Sequence, residues 1–182
     1  MNKFGRFTWE HYQTLFQDNR LLDIFLETIL LALLSSLLPT VIGTIGAFAI
    51  AMAKRKSSKK VLLSLNNVLM VSPDVIIGAS FLIFFTALGF GLNFGSVLLS
   101  HIAFSIPIVV LMVLPRLEEM DFSLIDAARD LGANSYQVFT NVMLPVMMPG
   151  IFSGFFMALT YSLDDFAVTF FVTGNGFSTL SV

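Results

Sequence analysis

Three carboxylates lie within or beside sequence that is otherwise apolar and uncharged. Asp74 interrupts the run 61–115, and Asp164 and Asp165 divide a second apolar stretch. An ionisable group in such a setting is costly in a bilayer and usually faces a cavity or a transport pathway. No Lys or Arg is expected at a similar depth. The three charges would then stay uncompensated and would suit the binding of a cationic solute.

The sequence leaves other interpretations of these carboxylates open. Asp164 and Asp165 could lie in a solvated loop at the outer interface, and Asp74 could accept a local hydrogen bond where Pro73 loosens the helix. Tyr161 and three phenylalanines flank the acidic pair and could hold an ammonium group by cation–π contact. The phenylalanines could equally form an aromatic belt at the membrane interface. They are Phe166, Phe170 and Phe171.

The composition is that of an all-α integral membrane protein. Of 182 residues, 56% are hydrophobic and only 12% are charged, about half the charged share of a soluble domain. The chain contains no Cys, which excludes a disulfide framework, a thiolate metal site and a Cys nucleophile. We expect residues 1–182 to form a single polytopic helical domain, and no cofactor is implied.

Uncharged runs predict about four membrane-spanning helices, since a helix needs about 20 residues to cross the hydrocarbon. A Gly-rich turn at Gly89–Gly95 divides a run that is too long for one crossing. Phe166–Val182 is apolar but contains Gly174 and Gly176, and we expect a re-entrant or extracytoplasmic segment that leads to a further span. The predicted spans are Ile24–Ala53, Val61–Leu88, Ser96–Leu114 and Val146–Leu163.

The basic residues predict the orientation of the spans. Five of the ten basic residues lie in the loop Lys54–Lys60, and the positive-inside rule places this loop in the cytoplasm. Alternation then puts Met1–Asp23 and the turn Gly89–Gly95 outside. It puts the loop Arg116–Pro145 inside, and Asp164 and the residues after it near the outer face. A straight second span would carry Asp74 about 20 Å from its start, in the outer half of the bilayer.

The cytoplasmic loop Arg116–Pro145 contains signals for two short helices. Ser123–Asp126 fits a capping box, and Gly132 is suited to the left-handed residue that ends a helix. Asn134 or Ser135 can cap a second helix over Gln137–Met143, and Pro145 would begin the next span. Two leucines, Leu124 and Leu131, would offer a partner apolar surface to bury. Without a partner, the same pattern would describe a helix–turn–helix lying on the membrane.

A spaced motif in this loop resembles the EAA loop of ABC-importer permeases. It runs Asp126-Ala127-Ala128, three residues, Gly132, nine residues, Val142, one residue, then Leu144-Pro145. Asp replaces the family's Glu, and Val its Ile. The resemblance implies a helical bundle of the type I importer kind whose loop docks on a separate ATPase subunit. The residues that it assigns to coupling are Asp126, Ala127, Ala128, Gly132, Leu144 and Pro145.

Further segments resemble the permeases of spermidine/putrescine importers, the second permease subunit in particular. They are Ser72–Asp74, Ser100–Phe104, Ser162–Phe166 and Phe171–Gly174. The resemblance implies inward transport of a polyamine in a bacterial inner membrane. The implied partners are an ATPase, a second permease and an extracytoplasmic solute-binding protein, with no nucleic acid. Such subunits have about six spans, so we expect the first and last spans to be missing here. On this resemblance the substrate pathway takes Asp74, Tyr161, Asp164 and Asp165.

Other functions would give the same residues different roles. The chain has no Gly-rich phosphate loop, so it is not expected to hydrolyse ATP itself. A permease for another small solute would share the loop, and an ion-coupled secondary transporter would use the carboxylates for its ion. A membrane-embedded enzyme would need a His-rich metal cluster or a Ser/His/Asp arrangement, and the sequence suggests neither. His101 is read as an interhelical hydrogen bond, with a proton relay as the alternative, and Asn66 and Asn67 are read in the same way.

Overall fold

The computed structural model describes Trp9 and residues 18–53, 55–174 and 177–182. Most of the predicted outer segment Met1–Asp23 therefore lies outside the described residues. Throughout the described part the regular elements are helical, which confirms the all-α class. The helices are α1 Asn19–Ala51, α2 Lys56–Val71, α3 Asp74–Ala87, α4 Phe94–Glu118, α5 Ser123–Asp130, α6 Ser135–Val138, α7 Leu144–Asp164 and α8 Ala167–Val172.

Three of the predicted spans are confirmed as long apolar helices. They are α1 with 33 residues, α4 with 25, and the continuous helix Ser135–Asp164 with 30. Side chains fix where two of them begin. Asp18 accepts the N–H groups of Arg20 and Leu21 at the start of α1, and Asn93 forms a capping box with Ser96 at the start of α4.

The predicted second span, Val61–Leu88, is wrong as a single straight helix. It consists of α2 and α3, which meet at an angle of 103°. Ser72 and Pro73 both adopt extended backbone, because proline cannot donate an N–H and pushes the preceding residue out of the helical region. The described chain thus has three candidate spans, or four if the bent pair crosses as one. The distance of about 20 Å expected for Asp74 assumed an unbroken helix and no longer applies, and the outer half of the bilayer stays a prediction for this residue.

The bundle packs around α4, which lies against both α1 and α7. Val109 of α4 is fully buried between two glycines, Gly43 of α1 and Gly154 of α7. A Cβ added at Gly43 would lie 2.7 Å from the Val109 Cβ, and one at Gly154 would lie 3.2 Å from the Val109 Cα. Small residues therefore allow the three backbones to approach closely, as is common where helices associate in membranes.

Two clusters of buried apolar side chains divide the bundle. One cluster includes Val113 and Leu117 near the end of α4 and holds Ile125 and Val138 of the cytoplasmic loop. The other includes Leu31, Val97 and Phe104, with Val168 and Val172 of α8 and Phe85 of α3. The first cluster therefore anchors the loop, and the second anchors the elements around the acidic residues.

The first helix of the cytoplasmic loop does not begin with the predicted capping box. α5 starts at Ser123 itself, so Ser123 is not the residue that precedes the helix. The Asp121 carboxylate instead accepts the Ser123 N–H at 2.9 Å. Hydrogen bonds from Ser123, the backbone N–H first, hold the pKa of the Asp121 carboxyl below its usual value.

The turn after α5 contains Gly132 in the left-handed conformation that was predicted. The helix that follows this turn is longer than predicted. Gly132 has a φ of +85°. Asn134 and Gln137 form a reciprocal capping box, so Asn134 is the cap of the two candidates. The predicted separate helix Gln137–Met143 is wrong, because α6 continues through a π-helical turn, Phe139–Met143, into α7. Pro145 lies inside this continuous helix, directly after the π-turn, where the backbone hydrogen bonds already depart from the α-helical pattern.

The segment after α7 folds back along the bundle. α8 packs mainly against α3, and the Leu180 N–H donates to Thr28 Oγ1 of α1 at 3.1 Å. The predicted re-entrant or extracytoplasmic segment thus contains one short helix within its described residues. It lies beside the ends of α1 and α4 at which those helices begin.

Candidate cation site and coupling loop

A cavity of about 250 Å³ brings all four predicted pathway residues together. It lies where the bend between α2 and α3 meets the break between α7 and α8. Phe166 and Ala167 complete its wall. The residues that line it are Asp74, Tyr161, Asp164, Asp165, Phe166 and Ala167.

The helix bend places Asp74 at the cavity. Asp74 is the first residue of α3 and is exposed, and a carboxylate in a first helical turn is stabilised by the helix dipole. The Tyr161 hydroxyl donates a hydrogen bond to Asp74 Oδ1 at 3.0 Å. This contact between residues of α3 and α7 holds the carboxylate against the cavity wall.

The two carboxylates of the acidic pair have different surroundings. Asp164 ends α7 and is exposed. Asp165 is only 8% exposed, and its oxygens accept the N–H groups of Val168 and Thr169 at 3.2 and 2.8 Å. Asp165 therefore caps α8. Asp74 and Asp164 are left as the carboxylates that the cavity exposes.

Cationic side chains do not neutralise the cavity among the described residues. The Lys and Arg ion pairs of that part of the chain join Lys59 to Glu118 and Arg116 to Glu119. Both pairs lie near the end of α4 that is remote from the cavity. The basic ring nitrogen closest to the site belongs to His101, whose Nε2 lies 3.4 Å from Asp165 Oδ2.

Some aromatic residues line the cavity, and others pack against those that do. Tyr161 and Phe166 line the cavity, whereas Phe170 stacks on Phe166 with ring centroids 5.6 Å apart. Phe104, which the sequence did not single out, packs edge-on against Tyr161 at 5.2 Å. Cation–π contact with a bound ammonium is therefore best placed at Tyr161 and Phe166. No spacing signal could have found Phe104, since its contact depends on how α4 meets α7.

Two of the polar residues that were predicted to form interhelical hydrogen bonds, His101 and Asn66, do form them. His101 is fully buried and contacts Ser162 Oγ through Nδ1 at 2.8 Å and Thr169 Oγ1 through Nε2 at 2.9 Å. Asn66 donates to the Pro107 carbonyl at 3.3 Å. These bonds tie α2, α4, α7 and α8 to one another.

The loop Arg116–Pro145, which the charge pattern predicts to be cytoplasmic, has exposed residues next to residues that are buried in the core. Ile125 is buried in the first apolar cluster, and Ala128 packs against that cluster. Asp126 and Ala127 are exposed, and Leu131, beside the glycine turn, is 89% exposed. The side of α5 that carries these exposed residues is free to meet a partner.

Comparison with known proteins relates most of the chain to transport components. Residues 40–182 match the family described as the binding-protein-dependent transport system inner membrane component. The spermidine/putrescine transport system permease protein PotC of Haemophilus influenzae is 33% identical over 175 residues, covering 96% of this chain and 67% of that protein. PotC of Escherichia coli K12 is 35% identical over 174 residues, with 96% and 66% covered.

A third relative is the putrescine transport system permease protein PotI of Escherichia coli K12. It is 32% identical over 175 residues, covering 93% of this chain and 62% of that protein. The chain therefore spans about two thirds of the length of the curated relatives that it matches.

Proposed function

The chain belongs to the binding-protein-dependent transport system inner membrane component family, and we propose that it is the permease subunit of an ATP-driven importer that moves a polyamine inward. As a member of this family it is a multi-pass protein of the bacterial inner membrane and a transport subunit, not an enzyme. The proposed cargo is a small polycation such as spermidine or putrescine. Relatives whose names include these solutes support that choice.

One observation carries the proposal: the acidic cavity and the coupling loop lie at opposite ends of a single helix. Tyr161 and Asp164 are in the last turn of the continuous helix Ser135–Asp164, and Gly132 precedes its first turn. Thirty helical residues extend about 45 Å. A displacement of the loop would therefore reach the cavity along one continuous helix.

The cavity has the chemistry that a polyamine requires. Asp74 and Asp164 offer carboxylates to ammonium groups, and the Tyr161 and Phe166 rings can contact a cation through their faces. Exposed carboxylates also allow release, since an ion pair that stays in contact with water contributes little free energy of binding. The substrate pathway is therefore assigned to Asp74, Tyr161, Asp164 and Phe166, with Asp165 as the cap that shapes it.

The coupling role is assigned to the exposed part of the loop. Asp126 and Ala127 would contact the ATPase directly, Ala128 would support them from the core, and Gly132 would hold the turn. Leu144 and Pro145 would set the start of α7. The proposed assembly also includes a second permease and an extracytoplasmic binding protein. Its proposed energy source is ATP hydrolysed by that ATPase, and the given sequence itself carries no Walker-type phosphate loop.

The assigned cavity can be tested by removing its two exposed charges. Asp74→Asn with Asp164→Asn should raise the half-saturation concentration for spermidine uptake about tenfold, equivalent to about 1.4 kcal/mol of lost binding. Uptake of labelled spermidine would be measured in vesicles that carry the whole complex. Asp23→Asn is the matched control, since it removes an exposed carboxylate of α1 that does not line the cavity.

Three results would contradict the proposal. Unchanged half-saturation in the double variant would place the cation site elsewhere. Uptake that survives ATP depletion but collapses with the ion gradient would favour an ion-coupled secondary transporter, in which the same carboxylates bind the coupling ion. Uptake of other small solutes but not of polyamines would identify a permease of the same family with a different cargo.

A further inference from the structure

A chain of five buried polar side chains crosses the bundle behind the acidic cavity. Ser35 of α1 contacts Ser162 of α7 at 2.7 Å between their hydroxyl oxygens. Ser162 contacts His101 Nδ1 at 2.8 Å, and His101 Nε2 contacts Thr169 Oγ1 at 2.9 Å. Thr169 in turn donates to Asp165 Oδ2 at 2.8 Å. All five side chains are buried, and together they join α1, α4, α7 and α8.

The hydrogen atoms of this chain can be assigned from one end. Thr169 donates its only hydroxyl hydrogen to Asp165, so His101 Nε2 must carry the hydrogen that it shares with Thr169. At the other end, Ser162 can donate to Nδ1 while Ser35 donates to Ser162, or Nδ1 can donate to Ser162 while Ser35 donates to the Ala32 carbonyl 3.3 Å away. Every member of the network is paired in either direction. A buried network in which each group is paired makes the structure rigid, and removal of one member is costly because its partners are left without a hydrogen bond.

The network ends on the segment that forms the wall of the cavity. Asp165 lies between α7 and α8, and its backbone carbonyl accepts the Ser181 hydroxyl at 2.8 Å. Its carboxylate is held by α8 and by the His101–Thr169 pair. The break in the helix is thus fixed from both sides. Asp164 and Phe166, the neighbours of Asp165, take their places at the cavity from this fixed point.

We propose that His101 is a positioning residue for the cation site. Its imidazole holds Thr169 and Asp165 so that Asp164 and Phe166 stay at the cavity wall, opposite Asp74. His101 does not line the cavity and is fully buried. It acts through Asp165 and not by contact with the solute. The inference rests on the proposed polyamine function and deepens it by naming what sets the geometry of the site.

Substitutions at His101 test this role in the whole complex. His101→Gln keeps a donor for Thr169 and an acceptor for Ser162, and its half-saturation concentration for spermidine should stay within about threefold of the native value. His101→Leu removes both, and the half-saturation concentration should rise about tenfold or more while the maximal rate changes little. The pH profile of uptake should be the same for the native chain and the Gln variant, since a positioning role needs no titration.

A second variant covers the case in which His101→Leu fails to assemble. Thr169→Val removes the hydroxyl between His101 and Asp165 while keeping the shape of the side chain. It should raise the half-saturation concentration in the same direction, with a yield of purified complex close to that of the native chain. Thr169→Ser is its control, since the hydroxyl is retained.

Two outcomes would overturn the inference, and a third would overturn the proposed function on which it rests. Normal half-saturation in His101→Leu or Thr169→Val would show that the network does not position the site. A Gln variant as impaired as the Leu variant, with an altered pH profile, would instead identify a proton relay. If the native complex takes up no polyamine at all, the proposed function fails first, whatever His101 does.

Discussion

At the scale of single residues, the sequence located the charged groups but not their separate tasks. Asp74, Asp164 and Asp165 stand out by type, because a carboxylate in apolar sequence is rare. Both residues of the acidic pair line the cavity. That Asp165 is buried and caps α8, whereas Asp164 is exposed, depends on where the chain breaks. Adjacent residues alternate in direction at such a break, and no periodicity predicts which one is turned inward.

The close contact of helices at Val109 gives a residue-scale prediction. Gly43→Ala should destabilise the bundle by about 1–3 kcal/mol, because its Cβ would lie 2.7 Å from the Val109 Cβ. The melting temperature of the purified subunit in detergent should fall by several degrees. Gly46→Ala is the matched control on the same helix. Its Cβ would lie 3.5 Å from Val110, an ordinary contact, and its melting temperature should be unchanged or higher.

Equal melting temperatures in the two variants would mean that α1 and α4 can separate without loss. The close approach at Gly43 would then not contribute to stability.

At the scale of elements, the sequence predicted the long helices well and their junctions poorly. α1 and α4 follow from uncharged runs that are long enough to span. The 103° bend at Ser72–Pro73 exceeds what a proline alone imposes, since many helices tolerate proline with a modest kink. Packing of α3 against α8 is a tertiary contact. No local pattern around Pro73 reveals it.

The coupling loop shows the same division between local and distant causes. Gly132 and the Asn134–Gln137 capping box were predictable, because each depends on neighbouring residues alone. The join of α6 to α7 was missed, since a capped start and Pro145 suggested two separate helices. In the structure the π-turn bridges them, a feature that sequence patterns rarely signal.

The turn at Gly132 gives an element-scale prediction. Gly132→Val should uncouple ATP hydrolysis from uptake, because a β-branched residue at φ +85° costs about 1–2 kcal/mol or more. The ratio of solute taken up to ATP hydrolysed would be measured in vesicles with the complete complex. Gly132→Asn should be milder, since Asn tolerates the left-handed region.

Gly89→Val is the matched control for backbone strain. Gly89 also has a positive φ, +68°, and neither glycine has an atom within 4 Å of an added Cβ. It lies in the turn before α4, away from the loop. If both valine variants lose coupling equally, general strain explains the effect, and Gly132 has no special part in docking.

At the scale of the whole molecule, the path of the bent pair follows from its two ends. The ion pair of Lys59 with Glu118 holds the basic loop at the end of α4, whereas the turn Gly89–Gly95 directly precedes the start of α4. The turn therefore lies at the end of the bundle opposite the basic loop, and α2 and α3 together connect the two ends. Which end faces outward is a separate question, and the positive-inside rule predicts that it is the end with the turn.

Because the sequence contains no cysteine, single introduced cysteines can show on which side of the membrane the turn lies. Ser57→Cys and Gly91→Cys place single thiols in the basic loop and in the turn, both at exposed positions. A membrane-impermeant maleimide added to intact spheroplasts should label Gly91→Cys and leave Ser57→Cys unlabelled until the membrane is opened. Labelling of Ser57→Cys with protection of Gly91→Cys would reverse the predicted orientation, and protection of both thiols would contradict the assignment of the turn to the outer face.

The π-turn Phe139–Met143 has a consequence for insertions and deletions in evolution. Such a turn holds one residue more than the α-helix that would replace it. Loss of a single residue there would restore an unbroken α-helix and preserve the register between Gly132 and Tyr161. Elsewhere in Ser135–Asp164, the same deletion would rotate every later side chain by about 100°. Length variation among homologous chains should therefore be tolerated at this turn and rare along the rest of the helix.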